Sequence, residues 1–419
     1  MKPSRVFYGW WIVAGSFLIS VYIGGTIFYG FTAFIEPITR ELGWSYAQVS
    51  LAASLRGLEA GLLAPLFGIL ADRWGSRRLI LFGSIAAAAG LLLLGRSNSL
   101  PMFYASFALL SLGTSSCTGI VLLTAVANWF QRRVGLANAI ALCGFGFSGL
   151  MIPAIVRLID LYDWRAAFLI LAAGLLAVNL PLSALFRHRP EQYGDLPDGA
   201  RAGRGGQSVP LDRPDDGPRE ICGSDMSTRQ AMKSKAFWSL ALLSLCHMIV
   251  MSATIVHVMP YLGSIGVARS TSGVVAAAIP VTSIAGRLLF GWLGDRYSRR
   301  SAAAGAFIAI GLGTLCFGLV SVVGFWFVVP FVLLFGIGYG GSNSVRISLA
   351  REYFGRTNFG SIFGLVMGLS VVGSIVAPPL AGWVYDTWGR YQVIWFVYAA
   401  LPFAVLGTVC SLPTVERCP

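Results

Sequence analysis

Three charged side chains stand where charge is costly. Arg287 lies in SIAGRLLFGWLGDR with no acid within a helical turn, and Arg56 and Glu59 lie three residues apart in SLRGLEAGLLAPLFG. An ionisable group inside an apolar run costs about 2.5–3.5 kcal/mol, so each needs a partner or a wet cavity. A guanidinium presents a planar fork of donors that fits a carboxylate. Arg287 is therefore a candidate anion-binding residue, or one end of a bridge to an acid on another helix. Arg56 and Glu59 share a helix face and can pair. They form a fixed bridge, or Glu59 takes up a proton and frees Arg56 to attract an anion. Counted back from Asp295 and Asp72 at about 1.5 Å per residue, Arg287 is about 12 Å deep, Glu59 about 20 Å and Arg56 about 24 Å.

Lesser candidates surround these. Tyr339 and Asn343 in GIGYGGSNSVRIS lie one turn apart among glycines, suited to bonding a hydroxyl or carbonyl or to joining helices. His257 in VHVMPYLGSIG lines an entrance or titrates, while His247, in an apolar context, reads as a hydrogen-bonded packing residue. Arg346 reads as a structural or gating charge with Glu352 or Asp295 as partner.

The frame for these residues is a membrane. The chain has 419 residues, 56% hydrophobic and 12% charged; a soluble domain carries about 25% charged residues. Apolar runs long enough to cross about 30 Å of hydrocarbon recur along it. They fall near 7–35, 46–71, 77–95, 101–127, 134–159 and 164–186, then near 236–263, 271–294, 301–321, 325–350, 359–384 and 391–412. The run from Phe7 to Phe34 is too long for a signal peptide and reads as the first span. Short alternating strands of a β-barrel are not evident.

The net charge of +13 sits mainly in short loops, without the basic-aromatic stripe of a nucleic-acid binder. Lys2, Arg5, Arg73, Arg77, Arg78, Arg132, Arg133, Arg296, Arg299, Arg300, Arg351, Arg356 and Arg417, with the basic residues of the central loop, lie on one side. Arg40, Arg96, Arg157, Arg165, Arg269 and Arg390 lie on the other. The excess of basic residues marks the cytoplasmic side and puts both termini there. The seven cysteines are scattered, with no CxxC pair, and read as small hydrophobes. Residues 1–186 form one six-span unit and 236–419 a second. Residues 187–235 join them as a Pro- and Gly-rich cytoplasmic linker, ending in an amphipathic approach with Phe237 and Trp238 at the interface.

The two units repeat each other. GILADRWGSRR (Gly68 to Arg78) closes span two, and GWLGDRYSRR (Gly291 to Arg300) closes span eight. Phe130 and Phe354, Trp164 and Trp388, and Pro37 and Pro260 match at nearly the same offset. A parallel duplication of six spans describes a rocking secondary transporter.

GILADRWGSRR resembles the loop signature between spans two and three of the major facilitator superfamily, and the second copy repeats it with Ser298 in place of Gly75. FYGWWIVAGSF and AMKSKAFWSLALL are similar to the monocarboxylate transporter and oxalate/formate antiporter branch. The resemblance implies an all-α membrane protein: twelve transmembrane helices in two bundles related by a pseudo-two-fold axis. It also implies gating by Gly68, Asp72, Arg73, Arg77, Gly291, Asp295 and Arg296. In the family the loop aspartates tie span two to span eleven and span eight to span five when the cytoplasmic side is closed; a carboxylate fits there because helix N-termini carry free N–H groups. That branch binds its anion with an arginine four residues before the motif's first glycine, which is Arg287 here. The chain departs from the branch at Ser283, where animal monocarboxylate transporters carry an aspartate, and at Tyr29, where they carry a lysine. SIFGLVMGLSVVG lacks the lysine of the oxalate branch.

These readings lead to an alternating-access transporter of small organic anions such as monocarboxylates, proton-coupled or exchanging. Substrate contacts fall to Arg287, Arg56, Tyr29, Tyr339, Asn343 and His257, and the proton to Glu59. The alternatives are export of a neutral or amphiphilic compound, with Arg287 structural, and a transporter-like sensor, for which the tail PTVERCP offers little output. With no nucleophile–base pair, metal cluster or P-loop in view, neither an enzyme nor an ATP-driven pump is expected. The expected partners are the anion, protons and the bilayer. No cofactor or nucleic acid is expected, and the unit is a monomer in the cell membrane.

Overall fold

A computed structural model of the chain describes residues 7–130, 134–187, 228–354 and 359–410; within these, the side chains of 58–62, 64–65, 72, 135, 295, 359–360 and 410 are not described. All regular structure among the described residues is helical. Span one is α1 (Gly9–Ile23), a π-helical turn (Gly24–Tyr29) and α2 (Thr32–Leu42). Spans two and three are α3 (Tyr46–Trp74) and α4 (Ser76–Gly95). Span four is α5 (Leu100–Cys117) with α6 (Ile120–Ala127), broken where Gly119 takes φ +52. Span five is α7 (Val134–Phe147), a 3₁₀ turn (Ser148–Met151) and α8 (Ile152–Tyr162); span six is α9 (Trp164–Ser183).

The short α10 (Thr228–Lys233) precedes α11 (Lys235–Ser264), α12 (Arg269–Arg296), α13 (Arg299–Val323), α14 (Val328–Phe354), α15 (Phe359–Trp388) and α16 (Gln392–Cys410). Eleven described segments are long and apolar enough to cross a membrane. The 29-residue α3, which carries Arg56 and Glu59, completes the twelve. Most of the expected linker lies outside the described residues. Phe237 differs from expectation: it is buried in the bundle, and only Trp238 faces outward.

Local chemistry sets the ends of the helices. Ser45 caps α3, its hydroxyl accepting from Gln48 N while the Gln48 side chain accepts from Ser45 N, a reciprocal capping box. Gly75 separates α3 from α4 at φ +80, a conformation that a side chain resists. The matching turn between α12 and α13 has negative φ at Tyr297 and Ser298, so no glycine is required there. This accounts for the difference between the two motif copies.

In lipid, burial of apolar surface does not drive helices together; close packing does. Thus Gly113 of α5 lies against the backbone of α4 at Ala87, and Gly340 of α14 against that of α12 at Ser283. Large apolar side chains such as Trp11, Phe82, Leu161, Val322 and Trp326 remain exposed, as expected of a surface solvated by hydrocarbon. In one half α4 packs on α5 and α9, and in the other α13 packs on α14 and α16. The halves meet where α3 lies along α15, where α12 crosses α7 and α8, and where α2 touches α11.

Candidate substrate-binding site

The π-helical turn opens the site. Its wider register is common at functional positions. Gly24 and Gly25 let it press against the Ser148–Met151 turn of span five, where a Cβ on Gly25 would come within 2.8 Å of Ser148 O. The turn ends in Tyr29, whose hydroxyl bonds that of Tyr339 on α14 at 3.0 Å, joining the two halves at the centre. Both phenols are buried.

Two arginines flank this bond. Arg56 of α3 donates to the carbonyl of Ile27, inside the π-helical turn, and lies 4.5 Å from the centroid of the Phe28 ring. A cation over an aromatic face gains about 0.5–2 kcal/mol, part of what burial costs it. Arg287 of α12 reaches into the other half, its Nη1 donating to Leu142 O of α7 at 3.5 Å. The fields of both arginines act on Tyr29. No described carboxylate pairs with either; the described ion pairs are Arg165–Glu41, Arg269–Asp160 and Arg299–Glu352. The Glu59 side chain, and with it the expected Arg56–Glu59 pair, lies outside the described residues.

A second polar group adjoins. Asn343 accepts from Arg346 Nη2 at 2.7 Å, and Arg346 Nε donates to Ser342 O at 3.2 Å. Glu352 is taken by Arg299 at 3.3 Å, so it is not the partner of Arg346. Of the expected substrate contacts, Arg56, Arg287, Tyr29 and Tyr339 converge, and Asn343 serves Arg346.

His257 stands apart, fully buried in the seam near the far ends of α3 and α11. Its Nε2 meets Pro378 O at 2.8 Å and Ser50 Oγ at 3.1 Å, and its Nδ1 meets Tyr391 OH at 3.1 Å. A carbonyl only accepts, so Nε2 carries the proton and the Tyr391 hydroxyl donates to Nδ1. Burial of Tyr391, in the turn between α15 and α16, holds its phenol well above the usual range and keeps that proton in place.

The expected gate is only partly described. The side chains of Asp72 and Asp295 lie outside the described residues. Arg73 and Arg77 are exposed, Gly68 and Gly291 are partly covered, and Arg296 lies 5.8 Å from the Trp292 ring centroid. At this motif face Gly291 of α12 and Gly364 and Gly368 of α15 have no described neighbour within 4 Å of an added Cβ.

The opposite face is closed, by residues that the sequence reading did not single out. The carboxylate of Asp386, near the end of α15, accepts from Tyr46 N at 3.1 Å and Ala47 N at 2.9 Å, capping α3 of the other half. At the diagonal corner Arg269, which opens α12, pairs with Asp160 of α8 at 3.3 Å and donates to Ala33 O of α2 at 2.6 Å. Thr32 of α2 donates to Val256 O of α11 at 2.9 Å. A cleft of about 540 Å³ sits over this seam, lined by Glu36, Arg40, Glu41, Asp163 and Arg269 among others. It is a surface vestibule, away from the central arginines. The one available signal was Asp386 itself, an acid close to the end of a long span.

A family model of the Major Facilitator Superfamily matches residues 15–268 and 240–417. The chain belongs to this superfamily. It is 28% identical over 406 residues to Monocarboxylate transporter 12-B of Danio rerio, covering 93% of this chain and 84% of the relative. It is 25% identical over 429 residues to Monocarboxylate transporter 13 of Rattus norvegicus, covering 100% and 92%. Both relatives bear the name of monocarboxylate transporters, and the chain is similar to them along nearly its whole length. The solved structure of the nucleoside transporter NupG shares its fold, with a TM-score of 0.72 at 15% identity over 97% of this chain and 99% of that one.

Proposed function

We propose that this chain is a secondary active transporter of small organic anions, of the monocarboxylate class, working by alternating access. The observation that carries the reading is the central pair Arg56 and Arg287, set around Tyr29 without a described carboxylate partner. A cation held in a low-dielectric layer without a counter-ion favours an anionic ligand. The names of the relatives agree with a carboxylate as that ligand. Arg287 bridges to the other half through a backbone carbonyl alone, a contact that a substrate carboxylate can replace.

In this reading residues 1–186 and 236–419 rock about the site, joined by the linker 187–235. The motif face, with both termini, is cytoplasmic. Arg287 and Arg56 hold the carboxylate, Tyr29 and Tyr339 bond it or its substituent, and Asn343 acts through Arg346. His257 belongs to the outer seam. Gly68, Asp72, Arg73, Arg77, Gly291, Asp295 and Arg296 close the inner side. Movement of the anion is coupled to a proton or to a second anion, and Glu59 is the carrier if the proton uses α3. The unit is a monomer in the cell membrane.

The test is uptake of radiolabelled L-lactate and formate by reconstituted protein. Arg287→Ala is expected to lower uptake at least a hundredfold, and Arg287→Lys to restore only part of it. Uptake by Arg287→Ala equal to that of the parent protein overturns the anion reading.

A further inference from the structure

A third cation lies in the same layer. Arg346 of α14 is 2% exposed. Its Nε and Nη2 are bonded to Ser342 O and Asn343 Oδ1, and its Nη1 is buried with no partner among the described residues. Beside it His247 of α11 is 1% exposed. Its Nδ1 meets Ser342 Oγ at 2.7 Å, and its Nε2 is also buried with no partner among the described residues. Both side chains are thus anchored on Ser342, one by the carbonyl and one by the hydroxyl.

The network assigns the tautomer. The Ser342 hydroxyl donates to Tyr339 O at 3.0 Å. Giving the hydroxyl's single proton to Tyr339 O, we assign Oγ as the acceptor toward His247 and the ring hydrogen to Nδ1. The neutral ring then presents a bare lone pair at Nε2, and no described donor reaches it. The same ring stacks on Tyr339, with centroids 5.6 Å apart and planes at 22°, and Tyr339 is bonded to Tyr29 of the other half. His247 is therefore a base, one aromatic contact from the hydroxyl pair that joins the halves.

Arg346 is the charge that acts on His247. Cys246 and Tyr339 face Arg346, and Arg287 acts on the far partner Tyr29. The other described charges on the helices packed here lie near helix ends: Arg269 and Asp386 at the far face, and Lys235, Arg296, Arg299, Arg300, Arg351 and Glu352 at the motif face. The central layer therefore holds Arg56, Arg287 and Arg346 and no described carboxylate. An imidazolium at His247 would face the charge of Arg346 in a poor dielectric. A substrate carboxylate removes that repulsion, so each ligand favours the other, and the coupling is reciprocal.

We propose that His247 is the proton-coupling site of this transporter, binding a proton at Nε2 when a substrate carboxylate enters the arginine layer and releasing it when the carboxylate leaves. The N–H bond forms with a proton taken from water on the side of entry, and it breaks to water on the side of exit. The proposal rests on the anion reading above and differs from it in assigning the proton to α11 instead of Glu59.

The experiment separates the two readings. Reconstituted protein is assayed with L-lactate in two modes: counterflow at equal pH, which needs no net proton movement, and accumulation driven by an inward proton gradient. His247→Asn keeps a donor toward Ser342 and cannot be protonated. It is expected to retain counterflow within about threefold and to lose gradient-driven accumulation, while Glu59→Gln keeps both. Accumulation by His247→Asn at the parental level overturns the proposal. So does loss of counterflow in both His247→Asn and His247→Gln when each purifies as a monodisperse protein, because His247 is then needed for the cycle itself. So does loss of accumulation confined to Glu59→Gln. A parent protein that exchanges lactate but ignores the proton gradient overturns the proposal and leaves the anion reading standing. A parent that moves neither lactate nor formate overturns both.

Discussion

At the scale of single residues, the centre of the protein is a positive layer crossed by one neutral bond. Arg56 and Arg287 come from opposite halves, and Tyr29 and Tyr339 join those halves between them. A neutral hydrogen bond contributes about 0.5–1.5 kcal/mol. Tyr29→Phe is therefore expected to lower the initial transport rate by no more than about tenfold, far less than loss of Arg287. Equal losses in the two variants, measured side by side, would give the hydroxyl pair a larger part than a neutral bond can play. The arginines were legible in the sequence because charge inside an apolar run is rare. The His247–Ser342–Arg346 unit was not. His247 and Ser342 are ninety-five positions apart, and nothing local marks a histidine whose second nitrogen lacks a partner.

At the scale of elements, the closed face is held where one helix end meets another. Asp386 supplies α3 with a cap across the halves, next to the cap that Ser45 supplies within its own chain segment. The sequence reading expected carboxylates to cap helices across the halves at the motif face; the described structure has such a cap at the opposite one. Free N–H groups at a helix start attract a carboxylate, and at this face Asp386 supplies it. An N-cap contributes about 0.5–2 kcal/mol, so Asp386→Ala is expected to shift the balance toward a far-face-open state several-fold. Maleimide labelling reads this shift at Ser50→Cys in a cysteine-free background, because Ser50 is fully buried in the seam here; unchanged labelling counts against a latch at Asp386. Gly382 of α15 lies against Tyr46 and Ala47, where a Cβ would come within 2.6 Å of Ala47 N. Gly382→Val is expected to hinder closure more strongly than Asp386→Ala, with higher labelling and lower uptake. The glycine of the first motif copy and the serine of the second are likewise explained by the turns they occupy.

At the scale of the whole molecule, the chain is two six-span halves, tied together at the face opposite the motif by Asp386, Arg269 and Thr32. That architecture was readable because apolar runs of spanning length and a repeat at one offset leave few other arrangements. The corners of closure were not readable, because docking of two rigid bundles sets them, and no local pattern encodes which loop acid meets which helix start. If the motif face is cytoplasmic, epitopes at Met1 and Pro419 are expected to be inaccessible in intact cells and accessible after permeabilisation. Exposure of either one in intact cells contradicts the orientation. The repeat is also imperfect in one place. Span seven is the unbroken α11, whereas span one is interrupted by the six-residue π-helical turn from Gly24 to Tyr29. Deleting a single residue there would let α1 run on in ordinary register. Everything beyond it would turn by about 100° about the helix axis, carrying Tyr29 away from Tyr339 and Thr32 away from α11. Substitutions in this segment change one contact at a time, whereas a change of length re-aims half a span. The segment should therefore tolerate changes of residue type far better than insertions or deletions.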